Sequence, residues 1–341
     1  MDQRPILDMT TPTLPTNPRS RRRALGGIFA AVVAGALVST QSRINGELAV
    51  ELEDSTLAAL ISFGSGLVIL TLIVPFVPTA RAGLRTLRTE VTAKRLPWWY
   101  LTGGAFGAFF VLTQGLAATA LGVALFTVAV VTSQTISSAV IDRVGIGSLQ
   151  KRPVTPLRVA ASVLAVGAVL FSGLADLRLD GPFLLVFLPL AAGFGIGWQQ
   201  AINGHVRQVT RSPLTATYVN FVAGTTVLAI AAVAYGFVGG WQHQFPTDPT
   251  LYLGGAIGVI FIAVAAVLVP ITGVLFFALG SIAGQLIGAL ALEIFLPTDN
   301  DGVAPTTVIG VVLTLIAVAI ASLSSQRPTK TVRSPKKLRS N

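Results

Sequence analysis

Apolar residues in this chain come in long unbroken runs, with polar and proline-containing stretches between them. The runs lie near 24–42, 56–77, 98–118, 121–142, 157–174, 182–202, 214–238, 251–269, 272–294 and 304–323. Each is close to the ~20 residues that carry a helix across a bilayer core. In hydrocarbon the backbone must satisfy its own hydrogen bonds, so runs of this kind are expected to be helical. The pattern therefore predicts an all-α integral membrane protein of ten transmembrane helices. Residues 1–23, rich in Pro and Thr before a basic cluster, and 326–341, rich in Lys, Arg, Ser and Pro, are expected to be disordered basic tails.

Composition agrees with this. Hydrophobic residues make up 52% of the 341 positions and charged residues 11%, against roughly 25% charged in a soluble domain. There is no cysteine, which excludes disulfides and thiolate metal sites. The two histidines, His205 and His243, fall in expected loops far apart, so neither a metal nor any other cofactor is expected. Arg19 and Arg21–Arg23 loosely resemble an export signal, but the run behind them is long enough to cross and nine more follow.

The net charge of +10 is topological and does not point to nucleic acid. With the amino terminus placed in the cytoplasm, 22 of the 24 Lys and Arg fall inside, leaving Arg43 and Arg178 outside. Basic residues resist translocation, so this distribution predicts ten spans in the cell membrane with both termini cytoplasmic.

The chain also repeats itself. Residues 41–70 align without a gap on 199–228, bringing Gln41, Ile44, Asn45, Gly46, Phe63 and Gly66 onto Gln199, Ile202, Asn203, Gly204, Phe221 and Gly224. "GGAFGAFF" (103–110) then meets "GGAIGVIF" (254–261), and the same register pairs Gly122 with Gly273, Gln134 with Gln285 and Asp142 with Glu293. The halves, 24–174 and 175–325, would each hold five spans. An odd number turns the second half over, giving the inverted-topology repeat on which secondary transporters are built.

These residues resemble the YdcZ-type inner-membrane exporters of the drug/metabolite transporter (DMT) superfamily. The resemblance runs from about 24 to 323 and is carried by Gln41-x-x-x-Asn45-Gly46, its second copy at Gln199, "SQTISSAVIDRVG" (133–145) and "GQLIGALALE" (284–293). It implies a DMT-like 5+5 helical fold, with a central cavity lined by the first four spans of each half.

Polar residues inside spans are the candidate site, because hydrocarbon penalises them unless they are partnered. Gln134 and Gln285 fall near the middles of the fourth and ninth spans; they either bind substrate or join helices. Ser133, amid Thr132, Thr135, Ser137 and Ser138, is a cavity candidate, as are Asn220, Tyr218 and Gln114. Gln41 with Asn45, and Gln199 with Asn203, share a helix face. They either cap the helix, Asn-Gly being suited to a C-cap, or line the pathway mouths; capping is the favoured reading. Asp142 and Glu293 are candidates for proton coupling, although Asp142 can instead pair with Arg143.

The function expected is a secondary transporter, an exporter of a small organic solute that runs without ATP. A lipid-carrier flippase, a membrane enzyme and a structural protein are the alternatives. An enzyme would need clustered acids or a nucleophile with its base, and the sequence shows neither motif. The partners expected are the substrate and membrane lipids, with a homodimer through the almost wholly apolar fifth and tenth spans.

Overall fold

The first helix shows how this protein treats polar groups: it continues through Gln41 and Asn45 to Glu51 without a break, nine residues beyond its apolar run. The computed structural model describes residues 18–121, 123–146, 149–172, 183–239, 244–296 and 305–325, with side chains over 26–113, 126–146, 149–171, 184–234, 244–296 and 305–321. The basic tails expected at 1–23 and 326–341 lie largely or wholly outside those residues. Among the described residues the fold is entirely helical: α1 (Pro18–Glu51), α2 (Ser55–Ile73), α3 (Pro78–Thr92), α4 (Gly103–Leu121), α5 (Val123–Val144), α6 (Pro156–Ser172), α7 (Phe187–Thr210), α8 (Pro213–Gly239), α9 (Gly254–Thr272), α10 (Val274–Phe295) and α11 (Pro305–Ser325). Among the described residues, six stretches are long and apolar enough to cross a membrane: 26–51, 55–76, 184–210, 213–234, 249–272 and 274–295. The protein is a multi-pass helical membrane protein.

The element without an apolar run is α3, a basic amphipathic helix. Pro78 opens it, where the missing N–H is not needed. Ala80, Gly83 and Leu87 are buried on one side, while Arg81, Arg85 and Arg88 are exposed.

The Asn-Gly pairs do not cap helices, contrary to the favoured expectation. α1 stops at Glu51, and Asp54 then caps α2 by accepting from Thr56 N (2.8 Å) and Leu57 N (3.0 Å). α7 runs past Asn203 and Gly204 to Thr210 and ends on Arg211 in the left-handed region, φ +54°. Asn usually disfavours a helix interior because its amide competes for the backbone. Here Asn203 donates to Asn220 of α8 and Asn45 packs over Gly254 of α9, so both side chains face a neighbouring helix and the helices continue.

Helix neighbours come in matched sets under the sequence repeat, which equates α1 with α7, α2 with α8, α4 with α9, α5 with α10 and α6 with α11. α1 packs on α10 and α9, and α7 packs on α5 and α4. α2 with α8, and α6 with α11, pack on their own counterparts. Single residues repeat the relation. Gly66 abuts the Phe221 ring and Gly224 abuts Phe63, and those two rings lie 5.4 Å apart. Ala161, Ala165, Ala317, Val318 and Ala321 make the α6–α11 seam, together with Leu275, Phe276, Leu279 and Ala283 of α10. The faces of α6 and α11 away from the seam, including Val163 and Val312, are exposed.

Backbone contact through glycine sets the closest approaches. A Cβ at Gly284 of α10 would run into the Val32 carbonyl of α1, and one at Gly104 of α4 into the Asn220 carbonyl of α8. Small residues replace the hydrophobic drive that lipid cannot supply between helices. Gly284→Ala should therefore force α1 from α10 and cost about 1–3 kcal/mol, the usual range for overpacking. Gly167→Ala, with nothing within 4 Å, should be neutral or gain up to about 1 kcal/mol of helix propensity. Thermal unfolding of the two purified variants checks this; equal melting temperatures would contradict the packing described.

Candidate functional site

The Gln and Asn side chains that interrupt the apolar runs meet around one cavity. Its volume is about 740 Å³, and it is lined by α1, α2, α4, α5, α7, α8, α9 and α10. Gln41, Asn45, Gln134 and Gln285 line it, as do Gln199, Gln200 and Asn220. Phe63, Phe110, Phe126, Phe221 and Phe261 supply apolar wall.

Each amide pair on one half sits on a glycine pair of the other. Gln199 and Asn203 of α7 lie over Gly107 and Gly103 of α4, where an added Cβ would come within 2.8 Å of Gln199 Nε2 and 2.7 Å of Asn203 Oδ1. Gln41 and Asn45 of α1 lie in the same way over Gly258 and Gly254 of α9, with 2.8 Å to Gln41 Nε2. The GGAFG and GGAIG motifs thus make room for carboxamides as well as for backbones.

In the second half the amides form a network. Gln199 Nε2 and Asn203 Nδ2 both donate to Asn220 Oδ1, at 2.9 and 2.8 Å, all three residues being buried. Asn220 Nδ2, Gln200 Oε1 and Asn45 Oδ1 are buried without a hydrogen-bond partner. Gln134 and Gln285, each the twelfth residue of a 22-residue helix, line the same cavity. Gln285 Nε2 reaches Ser281 of its own helix at 3.4 Å. Gln41, Asn45 and Gln199 thus share a cavity with the central pair, while Asn203 bonds Asn220 and is not among the lining residues.

Other candidates fall elsewhere. Ser133 and Ser137 donate to the carbonyls of Leu190 and Phe194 and so join α5 to α7. Tyr218 packs in an apolar cluster with Leu70, Phe221, Val259 and Ile262. The side chain of Gln114 lies outside the described residues. His205 is not in a loop: it is buried on α7, its ring centroid 4.5 Å from that of Tyr100. His243 is outside the described residues.

The two acids differ sharply. Asp142 is buried and does not pair with Arg143, which is exposed. Its carboxylate accepts from Val274 N (2.8 Å) and Leu275 N (3.4 Å), capping α10, and lies 3.6 Å from Arg158. A carboxylate at a helix N-terminus meets both free N–H groups and the positive end of the dipole. Nearby, Arg152 donates to the Ile271 carbonyl at 2.6 Å. Burial lowers the Arg152 guanidinium from its usual value, Asp142 opposing this and Arg158 adding to it. Glu293, the equivalent of Asp142, lies half-buried on the cavity wall.

The cavity and Asp142 lie toward opposite ends of the same helices. α5 lines the cavity with Phe126 to Gln134, and α10 with Ser281 to Glu293. Toward the other ends, Ile141 and Ile146 join Val274 and Phe277 in an apolar cluster with Leu96, Tyr100, Ile202 and Val269. The molecule is thus packed shut at one end, while at the other the lining reaches the exposed residues Ser42, Gly46, Ser55 and Ala289.

Sequence reasoning missed Gln200, although it adjoins Gln199, and missed Arg158, which it counted only as a topological charge. Arg158 follows the Pro156 that opens α6. A base in the first turn of an apolar helix signals a buried partner.

A polytopic helical bundle enclosing a cavity floored with amides is the architecture of a membrane transport protein. The chain belongs to the YdcZ family of the DMT class: the profile of the family described as "Putative inner membrane exporter, YdcZ" matches residues 26–171 and 184–320. No curated protein matches the chain significantly. A solved crystal structure superposes with TM-score 0.61 at 16% identity, covering 90% of this chain and 98% of its own. At that identity the likeness speaks for the fold alone.

The Asp142 site can be tested by stability. Asp142→Asn leaves Arg158, itself 7% exposed, without its counter-charge, and should cost on the order of 3–5 kcal/mol. Arg143→Gln should change stability by under about 0.5 kcal/mol, as for other exposed positions. Thermal unfolding of the two variants in detergent separates them, and the reverse order would restore Arg143 as the partner.

Proposed function

We propose that this protein is a secondary transporter, exporting a small organic solute by alternating access between two inverted five-helix halves, 24–174 and 175–325. The observation that carries the reading is a cavity shared by equivalent helices of both halves, amide-floored and packed shut at one end. Matched helix neighbours support the repeat: two halves that contact each other reciprocally can exchange their conformations and move the opening from one side to the other.

The acids support the same reading. Asp142 holds the N-terminus of α10 at the packed end, whereas Glu293 lines the cavity near the opposite end of α10. Equivalent residues in two different settings are what a structure with one gate shut would contain. Of the two, Glu293 is the one with access to the cavity, and any proton coupling is assigned to it. Gln134, Gln285, Gln199, Gln200 and Asn220 form the binding surface. Both termini are cytoplasmic, with the packed end inside. The outward faces of α6 and α11 meet lipid, or a second copy in a homodimer.

Single cysteines test orientation and mechanism together, since the chain has none. In intact cells a membrane-impermeant maleimide should label Glu51→Cys and Ala289→Cys, and should reach Arg88→Cys only after permeabilisation. Ala266, fully buried at the packed end, should react as Ala266→Cys slowly and from the cytoplasmic side. Reversed labelling of Glu51→Cys and Arg88→Cys would overturn the orientation. An Ala266→Cys that never reacts would leave a dead-end cavity and remove alternating access.

A further inference from the structure

Resting on the transport reading, the geometry points to a substrate class: an uncharged organic molecule that carries an amide or lactam edge on a flat ring. Asn220 is the key residue. Its carbonyl is already taken by two donors, Gln199 and Asn203, so what remains is the Nδ2 donor, buried and unpartnered. Gln200 shows the converse. It is 4% exposed, and its Oε1 is an acceptor without a partner. One lining therefore offers an unused donor and an unused acceptor. A ligand that covers such groups without matching them leaves their hydrogen bonds unmade, and one that matches both avoids that cost.

An amide or lactam carries both an acceptor and a donor and bears no charge, so one molecule can serve both groups. A carboxylate would satisfy Asn220 but oppose the Gln200 carbonyl, and an ammonium would do the reverse. A carboxylate would also leave its hydration behind without a free cation, and an ammonium would have Glu293 as its one acid on the lining. The charged groups on the cavity lining are Arg43 and Glu293. Arg43 is already engaged, with Glu47 at 2.9 Å and the Leu296 carbonyl at 2.7 Å. Glu293 stands near the C-terminal end of α10, more than two turns beyond Gln285. The phenylalanine walls suit a ring that can stack or meet their edges.

Matched probes that differ in charge test the class on the purified full-length protein. Nicotinamide is compared with nicotinate and uracil with orotate, with glucose as an uncharged hydroxyl-rich control; thermal unfolding is titrated with each. Nicotinamide and uracil should raise the melting temperature saturably, with nicotinate and orotate at least tenfold weaker. Gln200→Leu should weaken the neutral probes at least tenfold, while Gln200→Glu, which keeps the acceptor, should retain them. Gly64→Ala, with open space around its Cα, should change nothing. A charged member binding as well as its neutral partner, stabilisation by glucose alone, or no shift from either amide probe would overturn the class. If Gln134→Leu abolishes whatever shift is then seen, the cavity still stands as the transport site. An amide-probe shift untouched by both Gln200→Leu and Gln134→Leu would place binding elsewhere and overturn the cavity reading itself.

Discussion

A carboxamide inside a bundle of apolar helices must find a partner, and most of this structure follows from where those partners are. Lipid offers no hydrogen bond, so each Gln or Asn has to face another helix or a cavity. Here Gln199 and Asn203 rest on Gly107 and Gly103, and Gln41 and Asn45 rest on Gly258 and Gly254. The glycines let the long amides lie flat between helices that would otherwise be held apart. Those same contacts cross from one half to the other, so the groups that make the cavity polar also bind the halves together.

The two halves use one plan with one telling difference. Asn220, which gathers Gln199 and Asn203 on its carbonyl, is matched across the repeat by Ser62. A serine is too short to reproduce that network: Ser62 Oγ and Asn45 Oδ1 both remain unpartnered. The second half therefore has a rigid, cross-bonded amide group and the first half has looser ones. Binding that needs a fixed donor would draw on α7 and α8, and adjustment to the ligand would fall to α1.

Much of this was legible in the sequence, because the signals involved are long or doubled. Twenty-residue apolar runs need no tertiary information, and a Gln-x-x-x-Asn-Gly written twice announces equivalent elements. The failures were local and share a cause. Asn45-Gly46 looked like a helix end because Asn and Gly suit a C-cap, and only the partner helix shows why α1 continues. Ser133 looked like cavity lining but bonds the Leu190 carbonyl. For a hydroxyl on an apolar helix, rotation by a single residue decides between cavity and neighbour, and the α5 sequence carries hydroxyls on several faces. Asp142 was paired with its chain neighbour Arg143, although adjacent helical residues point about 100° apart. Its partner Arg158 lies across a turn that periodicity does not describe.

The setting of Asp142 also links topology to mechanism. The segment 143–158 carries four bases, which resist translocation and hold that end in the cytoplasm under the proposed orientation. Two of them, Arg152 and Arg158, stand within the electrostatic reach of Asp142. The equivalent stretch after Glu293, residues 294–307, has no Lys or Arg. A latch built on Glu293 would therefore lack the cation from its own half that Asp142 enjoys. Under the proposed orientation and mechanism, the charge asymmetry would thus also make the two gates unequal, the cytoplasmic one held by an ion pair and a helix cap. Opening that gate separates Asp142 from Arg158 and from the N-terminus of α10, so on this reading the resting molecule is closed inside.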